Sequence, residues 1–151
     1  GFRSFSVSGR VNNPGVKLAP AGITMRELIE EYCGGMQEGH KLKGFLPGGA
    51  SGGVLPESLA DIPLDFGTLE PHGSFVGSHA VVILSDRDDM KAVALNRMRF
   101  FEDESCGQCT QCREGTGWLN KIMQRIERGA GAKGDLDILL DVAAKMEGQT
   151  I

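Results

Sequence analysis

The sequence predicts an α+β fold: a small β-grasp-like unit over residues 1–85, followed by an α-helical bundle over residues 86–151. Near the N-terminus apolar residues alternate with polar ones, as in a half-buried strand, whereas after residue 85 they recur at helical spacing. The 22 glycines indicate many tight turns. With 151 residues and 40% hydrophobic content, the chain can form one medium domain or two small ones.

The chain is predicted to begin with a β-hairpin. Phe5, Val7 and Val11 alternate with polar residues, and the Asn-Asn-Pro-Gly run at 12–15 is a strong turn signal. Residues 16–19 then return as the second strand.

A helix is predicted to follow the hairpin. Thr24 and Glu27 have the spacing of a capping box, and Gly34-Gly35 supply a permissive helix end. Further strands are predicted over residues 43–46 and 80–84.

The second half predicts three amphipathic helices that pack as a bundle. Ser85 and Asp86 are expected to cap the first helix, over about residues 87–102, and Asp135 to cap the third. The second helix follows the cysteines described below. The expected core-facing residues are Met90, Val93, Ala94, Arg97 (aliphatic stem), Met98 and Phe101, then Trp118, Leu119, Ile122, Met123 and Ile126, then Leu136, Leu139, Leu140, Ala143 and Met146.

The most informative motif is C-x2-C-x2-C, formed by Cys106, Cys109 and Cys112. This spacing brings three thiolates around one small volume, as chains that hold iron–sulfur clusters do. Zinc sites more often use two separated cysteine pairs. In the bacterial ferredoxin run the next cysteine stands where this chain has Thr116. The pattern favours a metal centre, and an iron–sulfur cluster over zinc.

The neighbours of these cysteines offer supporting chemistry. The Ser105 hydroxyl can bond sulfur or backbone, Gly107 allows the chain to bend, and Arg113 would place positive charge beside an anionic cluster. Four cysteines in this chain, three of them clustered, fit a reducing compartment better than a disulfide scaffold. Cys33 is expected to be a core thiol.

Other features exclude or weaken several functions. A net charge of −4 argues against a nucleic-acid binder, and no apolar run reaches the length that crosses a bilayer. The glycine-rich run at 48–53 lacks the Lys-Ser/Thr of a phosphate loop and is expected to be a plain loop. His40, His72 and His79 share no ligand spacing.

The run over residues 100–117 closely resembles the E-S-C-G-x-C-x-x-C-R-x-G signature of flavoprotein NADH-dehydrogenase subunits. This family includes the 51 kDa subunit of respiratory complex I, the diaphorase subunit of NAD-reducing hydrogenases and the β subunit of NAD-dependent formate dehydrogenases. Residues 1–85 resemble the family's soluble-ligand-binding β-grasp domain, and the remainder resembles its iron–sulfur bundle. Residues 85–89 and 99–101 are similar to the formate-dehydrogenase branch.

The resemblance implies that Cys106, Cys109 and Cys112 ligate a [4Fe-4S] cluster, which takes electrons one at a time from FMN reduced by NADH. In formate dehydrogenases the net flow runs toward NAD+. The implied partners are an N-terminal FMN/NADH domain of the same subunit, a small [2Fe-2S] thioredoxin-like subunit and a larger iron–sulfur subunit. A cytoplasmic location is expected. If the protein is part of a membrane-bound complex, it would lie at the inner face of the membrane. No residue of this chain is expected to be catalytic.

The chain departs from the family pattern at both ends. The family's fourth cluster ligand is a later cysteine that follows a Thr-Ile-like pair, and Thr150-Ile151 close this sequence. The family's FMN/NADH domain precedes the β-grasp unit. The chain is therefore expected to be a C-terminal segment that cannot oxidise NADH alone.

Two other functions remain open from the residues. One is a structural zinc module, which needs a fourth ligand such as Cys33 or a histidine. The other is a docking module, in which the first half binds a partner and the cysteines are empty.

Overall fold

The chain folds as two units, one spanning Gly1–Asp88 and the other beginning at Asp89. A computed structural model describes residues 1–150. The first unit contains a mixed five-stranded sheet and the second contains three helices. This agrees with the predicted α+β class. The predicted domain boundary after residue 85 stays a prediction, and the two units divide slightly later.

The sheet of the first unit has the strand order β2-β1-β5-β3-β4. Parallel pairing joins β1 to β5, and the other neighbours are antiparallel. The strands are β1 (Phe2–Gly9), β2 (Gly15–Pro20), β3 (Leu42–Leu46), β4 (Leu55–Pro56) and β5 (Ala80–Ser85).

The predicted N-terminal hairpin is confirmed. Strands β1 and β2 pair from Phe2↔Pro20 to Val7↔Gly15. Phe5 and Val7 face the core and are buried, whereas Ser4, Ser6 and Ser8, which alternate with them, are exposed. The alternation in the sequence therefore identified the buried face correctly.

Close backbone packing ends the β1–β5 pair. Gly9 has a φ of +100°, and a Cβ built on it would lie 2.1 Å from the carbonyl oxygen of Ile83. Only glycine tolerates both the left-handed backbone and this approach.

The predicted capping box is present at α1 (Met25–Glu27). The Glu27 backbone N–H donates to Thr24 Oγ1 at 3.2 Å, and the Thr24 N–H donates to Glu27 Oε2 at 2.9 Å. The helix differs from the prediction after this turn, because residues Leu28–Tyr32 form a π-helical turn. Leu28, Ile29 and Cys33 are all buried in the core of the first unit.

One hydrophobic core lies between the sheet and the segments that cover it. It combines residues from strands, the π-helical turn and the long loops, so no single element buries its apolar face alone. Its largest fully buried side chains are Phe5, Val11, Met25, Leu28, Ile29, Phe45, Leu64, Leu69, Val76, Val81 and Ile83.

The helices of the second unit are α2 (Met90–Asp103), α3 (Thr110–Glu127) and α4 (Asp135–Met146). Helix α3 packs against both α2 and α4. None of the helices within residues 1–150 has the length and apolar character needed to cross a membrane.

Two predicted helix caps were wrong. Asp89 caps α2 by accepting from the Lys91 N–H at 2.9 Å, whereas Ser85 ends β5 and Asp86 binds the Lys41 N–H. Asp135 is the first residue of α4 and not its cap. Asp86 and Asp135 use their carboxylates for contacts outside the helix that each was expected to cap.

The predicted stripe on α4 was only partly correct. Leu139 and Met146 are half-buried, but Leu136 and Leu140 are exposed. Val142, which the stripe omitted, is buried. Helix α4 is apolar over much of its circumference, so its sequence alone does not say which face meets α3.

Candidate metal centre

The three cysteines lie where the α2–α3 loop enters α3. Cys106 is in the loop and exposed, whereas Cys109 is the N-cap of α3 and Cys112 lies in its first turn. The helix was predicted to follow the cysteines, but it begins inside the motif. Because Cys109 has extended backbone angles and Thr110 is already helical, the helix turns Cys112 back toward the loop.

A tight turn at Gly107 shapes this loop. Gly107 has a φ of +75°, and its N–H donates to Ser105 Oγ at 3.3 Å. The Arg113 guanidinium donates to the Gly107 carbonyl oxygen at 2.8 Å. Arg113 also pairs with Glu114 at 3.0 Å. The loop is thus tied to the first turn of α3 by a charged donor.

Hydroxyl groups contact Cys112 from two directions. Ser105 Oγ lies 3.5 Å from Cys112 Sγ, within hydrogen-bond distance for sulfur. Thr116 is buried one turn further along α3, and its hydroxyl donates to the Cys112 carbonyl oxygen at 2.7 Å. Thr116 therefore stabilises the first turn of α3 instead of supplying a further ligand.

All three cysteines line one cavity of about 240 Å³. This is far more than the roughly 10–15 Å³ that a cavity needs in order to hold one water. The lining residues are Ser105, Cys106, Gln108, Cys109, Cys112 and Thr150. Of the Thr150-Ile151 pair that closes the sequence, Thr150 reaches this cavity and Ile151 lies outside the described residues.

Three cysteine side chains that line one cavity are a donor set that fits an iron–sulfur cluster. Within residues 1–150, no three His, Cys, Asp or Glu side chains are grouped closely enough to hold one metal ion. Thiolates around one zinc would stand only about 3.8 Å apart, given Zn–S bonds of about 2.3 Å. A group of iron and sulfide atoms spreads its thiolate ligands further apart than this.

The N-terminus of α3 adds an electrostatic contribution. Free backbone N–H groups and the helix dipole make this end favourable for negative charge. Cys109 and Cys112 both lie there. This helix end therefore suits thiolate ligands and an anionic cofactor.

The fourth cysteine, Cys33, belongs to the first unit. It is fully buried in the core of the first unit, and burial raises the pKa of its thiol. A thiol held protonated among apolar side chains is a poor metal ligand. The expectation of a core thiol agrees with this position.

The three histidines occupy different environments within the first unit. His40 Nδ1 bonds Ser85 Oγ at 2.8 Å, and His72 is exposed. His79 packs edge-on against Phe5, with ring centroids 5.2 Å apart. Burial, followed by the nearby Arg3 charge, lowers the His79 pKa.

The glycine-rich run at 48–53 is a packing feature. A Cβ on Gly48 would lie 2.3 Å from the Phe75 carbonyl oxygen, and one on Gly53 would lie 2.4 Å from that of Gly73. These glycines let two loop backbones touch, as expected for a plain loop. A second glycine-rich run, at 129–134, has G-x-G-x-x-G spacing. It follows α3 and not a strand, which the dinucleotide fingerprint requires.

The sequence missed several contacts that support the site. The Asn120 side-chain amide donates to the Glu102 carboxylate, which joins α3 to the end of α2. Gly115 lets Met146 approach α3 closely. Trp118, expected in the core, is 58% exposed. Two signals in the sequence could have indicated these contacts: Asn120 stands among apolar residues, and Gly115 stands inside a helix.

Comparison with known proteins finds relatives over the residues of this site and over the first unit. Residues 92–151 match the family model described as the NADH-ubiquinone oxidoreductase-F iron-sulfur binding region, and residues 4–55 match the SLBB domain. The chain is 44% identical over 139 residues to an NADH-quinone oxidoreductase F subunit of Rhizobium meliloti (strain 1021), covering 92% of this chain and 33% of that protein. It is 42% identical over 150 residues to the NADH-quinone oxidoreductase F subunit of Mycobacterium tuberculosis (strain ATCC 25618 / H37Rv), covering 99% of this chain and 34% of that protein.

The chain combines an SLBB domain with the iron-sulfur binding region of NADH-ubiquinone oxidoreductase F. This confirms the resemblance that the cysteine motif carries. The two relatives are about three times as long, because the chain spans roughly a third of each.

The fold of this chain is also similar to that of a solved structure. The chain superposes on the NAD+-reducing [NiFe]-hydrogenase in the H2-reduced state with a TM-score of 0.85 and 28% identity. That match covers 99% of this chain and 25% of the hydrogenase chain. The match therefore includes residues of both units.

Proposed function

We propose that this chain carries a [4Fe-4S] cluster on Cys106, Cys109 and Cys112 and serves as the electron-transfer segment of an NAD(H)-linked oxidoreductase. The observation that carries this proposal is that all three sulfur-bearing side chains line one cavity at the N-terminus of α3. The match to an iron-sulfur binding region over the same residues supports it.

The cluster, when bound, exchanges single electrons with FMN, which a part of the protein outside these residues would hold along with the NAD(H) site. This chain contributes by holding the three cysteine ligands in position. Helix α3 holds Cys109 and Cys112 at fixed separation, and the Gly107 turn brings Cys106 to the same cavity. The three ligands leave a fourth position for another group.

We propose the following domain roles. Residues 1–85 act as a β-grasp domain that docks against other parts of the oxidoreductase, and residues 86–151 act as the helical iron–sulfur domain. The proposed neighbours are the N-terminal FMN/NADH domain, a small [2Fe-2S] thioredoxin-like subunit and a larger iron–sulfur subunit. Cytoplasmic location, with attachment to the inner membrane face through the complex, belongs to the same proposal.

The terminal substrate distinguishes two versions of this function, a formate-dehydrogenase β subunit and a complex I-like NADH dehydrogenase subunit. Protein purified with its natural partners would be assayed for formate-dependent NAD+ reduction and for NADH oxidation by quinone. Formate activity alone assigns the first, and quinone activity alone assigns the second.

The cluster itself is tested by anaerobic purification followed by iron and acid-labile sulfide analysis and by EPR of the dithionite-reduced protein. Near-equal iron and sulfide with a reduced four-iron signal is expected. Substituting serine for Cys106, Cys109 or Cys112 should abolish or convert that signal. Zinc in place of iron, or a folded protein without metal, would refute the proposal and favour a structural or docking module.

A further inference from the structure

One hydrogen-bonded chain leads directly to a cysteine sulfur. The Gly107 N–H donates to Ser105 Oγ at 3.3 Å, and Ser105 Oγ lies 3.5 Å from Cys112 Sγ. Between a free hydroxyl and a free thiol, either could donate. A metal-bound cysteine is a thiolate and has no proton to give. With a cluster bound, Ser105 must therefore be the donor.

We propose that Ser105 is a positioning residue whose hydroxyl donates to Cys112 Sγ and thereby raises the reduction potential of the cluster. This inference rests on the proposed function, since it needs a cluster on Cys112. Hydrogen bonds to the sulfurs are among the factors that set the potentials of iron–sulfur sites. A donor to the thiolate stabilises the reduced form more, because that form carries more negative charge.

The orientation of the Ser105 hydroxyl is set by the turn that follows it. The Gly107 N–H occupies an acceptor site on Ser105 Oγ, which leaves the hydroxyl hydrogen free to point to sulfur. The turn needs the left-handed backbone of Gly107, and the Arg113 guanidinium holds its carbonyl at 2.8 Å. Gly107 and Arg113 thus affect the Cys112 sulfur through Ser105, and not by direct contact with it.

The surroundings of Ser105 favour a direct effect on the cluster, which the neighbouring hydroxyl of Thr110 does not share. Its side chain is half-buried and lines the same cavity as the three cysteines. Thr110, the other hydroxyl in the motif, is exposed and lies outside the residues that line this cavity. Thr110 is therefore a matched control, because its substitution removes a nearby hydroxyl of the same loop and helix.

The experiment compares wild type with Ser105→Ala, Ser105→Thr and Thr110→Ala, each purified anaerobically with its natural partners. Iron and sulfide are measured first, and the midpoint potential is then followed by EPR during redox titration. Ser105→Ala should keep full iron and sulfide but shift the potential to a more negative value. Ser105→Thr should restore the wild-type potential, and Thr110→Ala should leave it unchanged.

A second readout detects the hydrogen bond itself. Pulsed ENDOR of the reduced protein in H2O and D2O should show an exchangeable proton near the cluster in wild type and Ser105→Thr, but not in Ser105→Ala. An unchanged potential and an unchanged ENDOR spectrum in Ser105→Ala would overturn the inference and leave the proposed function intact. Loss of the cluster in Ser105→Ala, with Ser105→Thr intact, would also overturn it, because the hydroxyl would then serve binding. Absence of iron and sulfide from wild type would refute the proposed function instead.

Discussion

The carboxylate of Asp135, at the start of α4, is only 3% exposed and accepts a charged hydrogen bond from the Arg125 guanidinium near the end of α3. The Ala132 N–H donates to the same carboxylate at 2.7 Å. These contacts close the α3–α4 loop just before α4. The contact with Arg125, followed by the Ala132 N–H, lowers the Asp135 pKa.

Replacing Asp135 with asparagine should lower the free energy of unfolding of the second unit at pH 7. An Asp135 carboxyl protonates near pH 4 in the unfolded chain but stays ionised to lower pH in the folded one. The unfolded state therefore binds more protons as the pH falls, and the contribution of Asp135, full above about pH 4, is lost on acidification through its folded pKa. The difference between wild type and Asp135→Asn should thus shrink from pH 7 to pH 3.

Urea unfolding followed by the fluorescence of Trp118, the only tryptophan in the chain, measures this difference in the second unit. Asp137→Asn is the matched control, because Asp137 lies exposed in the same first turn of α4. A destabilisation equal at both pH values, or equal in the two variants, would contradict the assigned role of Asp135.

Gly9→Ala should destabilise the first unit strongly, by at least about 2 kcal/mol. The new Cβ would meet the Ile83 carbonyl oxygen at 2.1 Å in a backbone with φ of +100°. Gly15→Ala is the matched control, since Gly15 also has a positive φ but no atom within 4 Å of its Cβ position. Urea unfolding by circular dichroism would separate the clash from the backbone strain, and equal losses would show that the clash is relieved.

Acidification from pH 7 toward pH 5 should destabilise the first unit through His79. Burial and the Arg3 charge lower the His79 pKa, so His79 in the unfolded chain takes up a proton near pH 6.5 before the folded one does. Stability is therefore full above pH 6.5 and falls as the pH drops toward the folded pKa. His79→Asn, which tolerates the left-handed φ of 58° at this position, should reduce this dependence.

Thermal unfolding at pH 7 and pH 5 would measure the effect of His79→Asn. His72→Asn removes an exposed histidine of the same unit and should leave the wild-type dependence unchanged. A dependence that persists in His79→Asn would assign the acid sensitivity to other groups.

Cys33→Ala should leave the iron and sulfide content unchanged while costing roughly 1 kcal/mol of stability, because a small buried group is lost from the core. Cys106→Ala is the comparison, and it should lower the iron content. Metal analysis of both variants beside a urea titration gives the result. Loss of bound metal in Cys33→Ala would support the zinc-module alternative, in which Cys33 is the fourth ligand.

Features that depend on a few neighbouring residues were predictable from the sequence. The turn at 12–15, the Thr24–Glu27 capping box and the spacing of Cys106, Cys109 and Cys112 involve groups within a turn of one another. Their geometry follows from backbone preferences and short hydrogen bonds, so distant parts of the chain change them little. The family signature and the candidate ligands belong to this group.

Only the tertiary structure decided the features that depend on distant partners. The Arg125–Asp135 contact joins α3 to α4, and packing on α3 selected Val142 over Leu136 and Leu140 as a buried residue. The strand order, with β5 between β1 and β3, likewise depends on pairing between residues far apart in sequence. The sequence determined which groups are available for cluster chemistry. The fold brought Ser105 to Cys112 Sγ. The position of the Ser105 hydroxyl depends on how the Gly107 turn meets the first turn of α3.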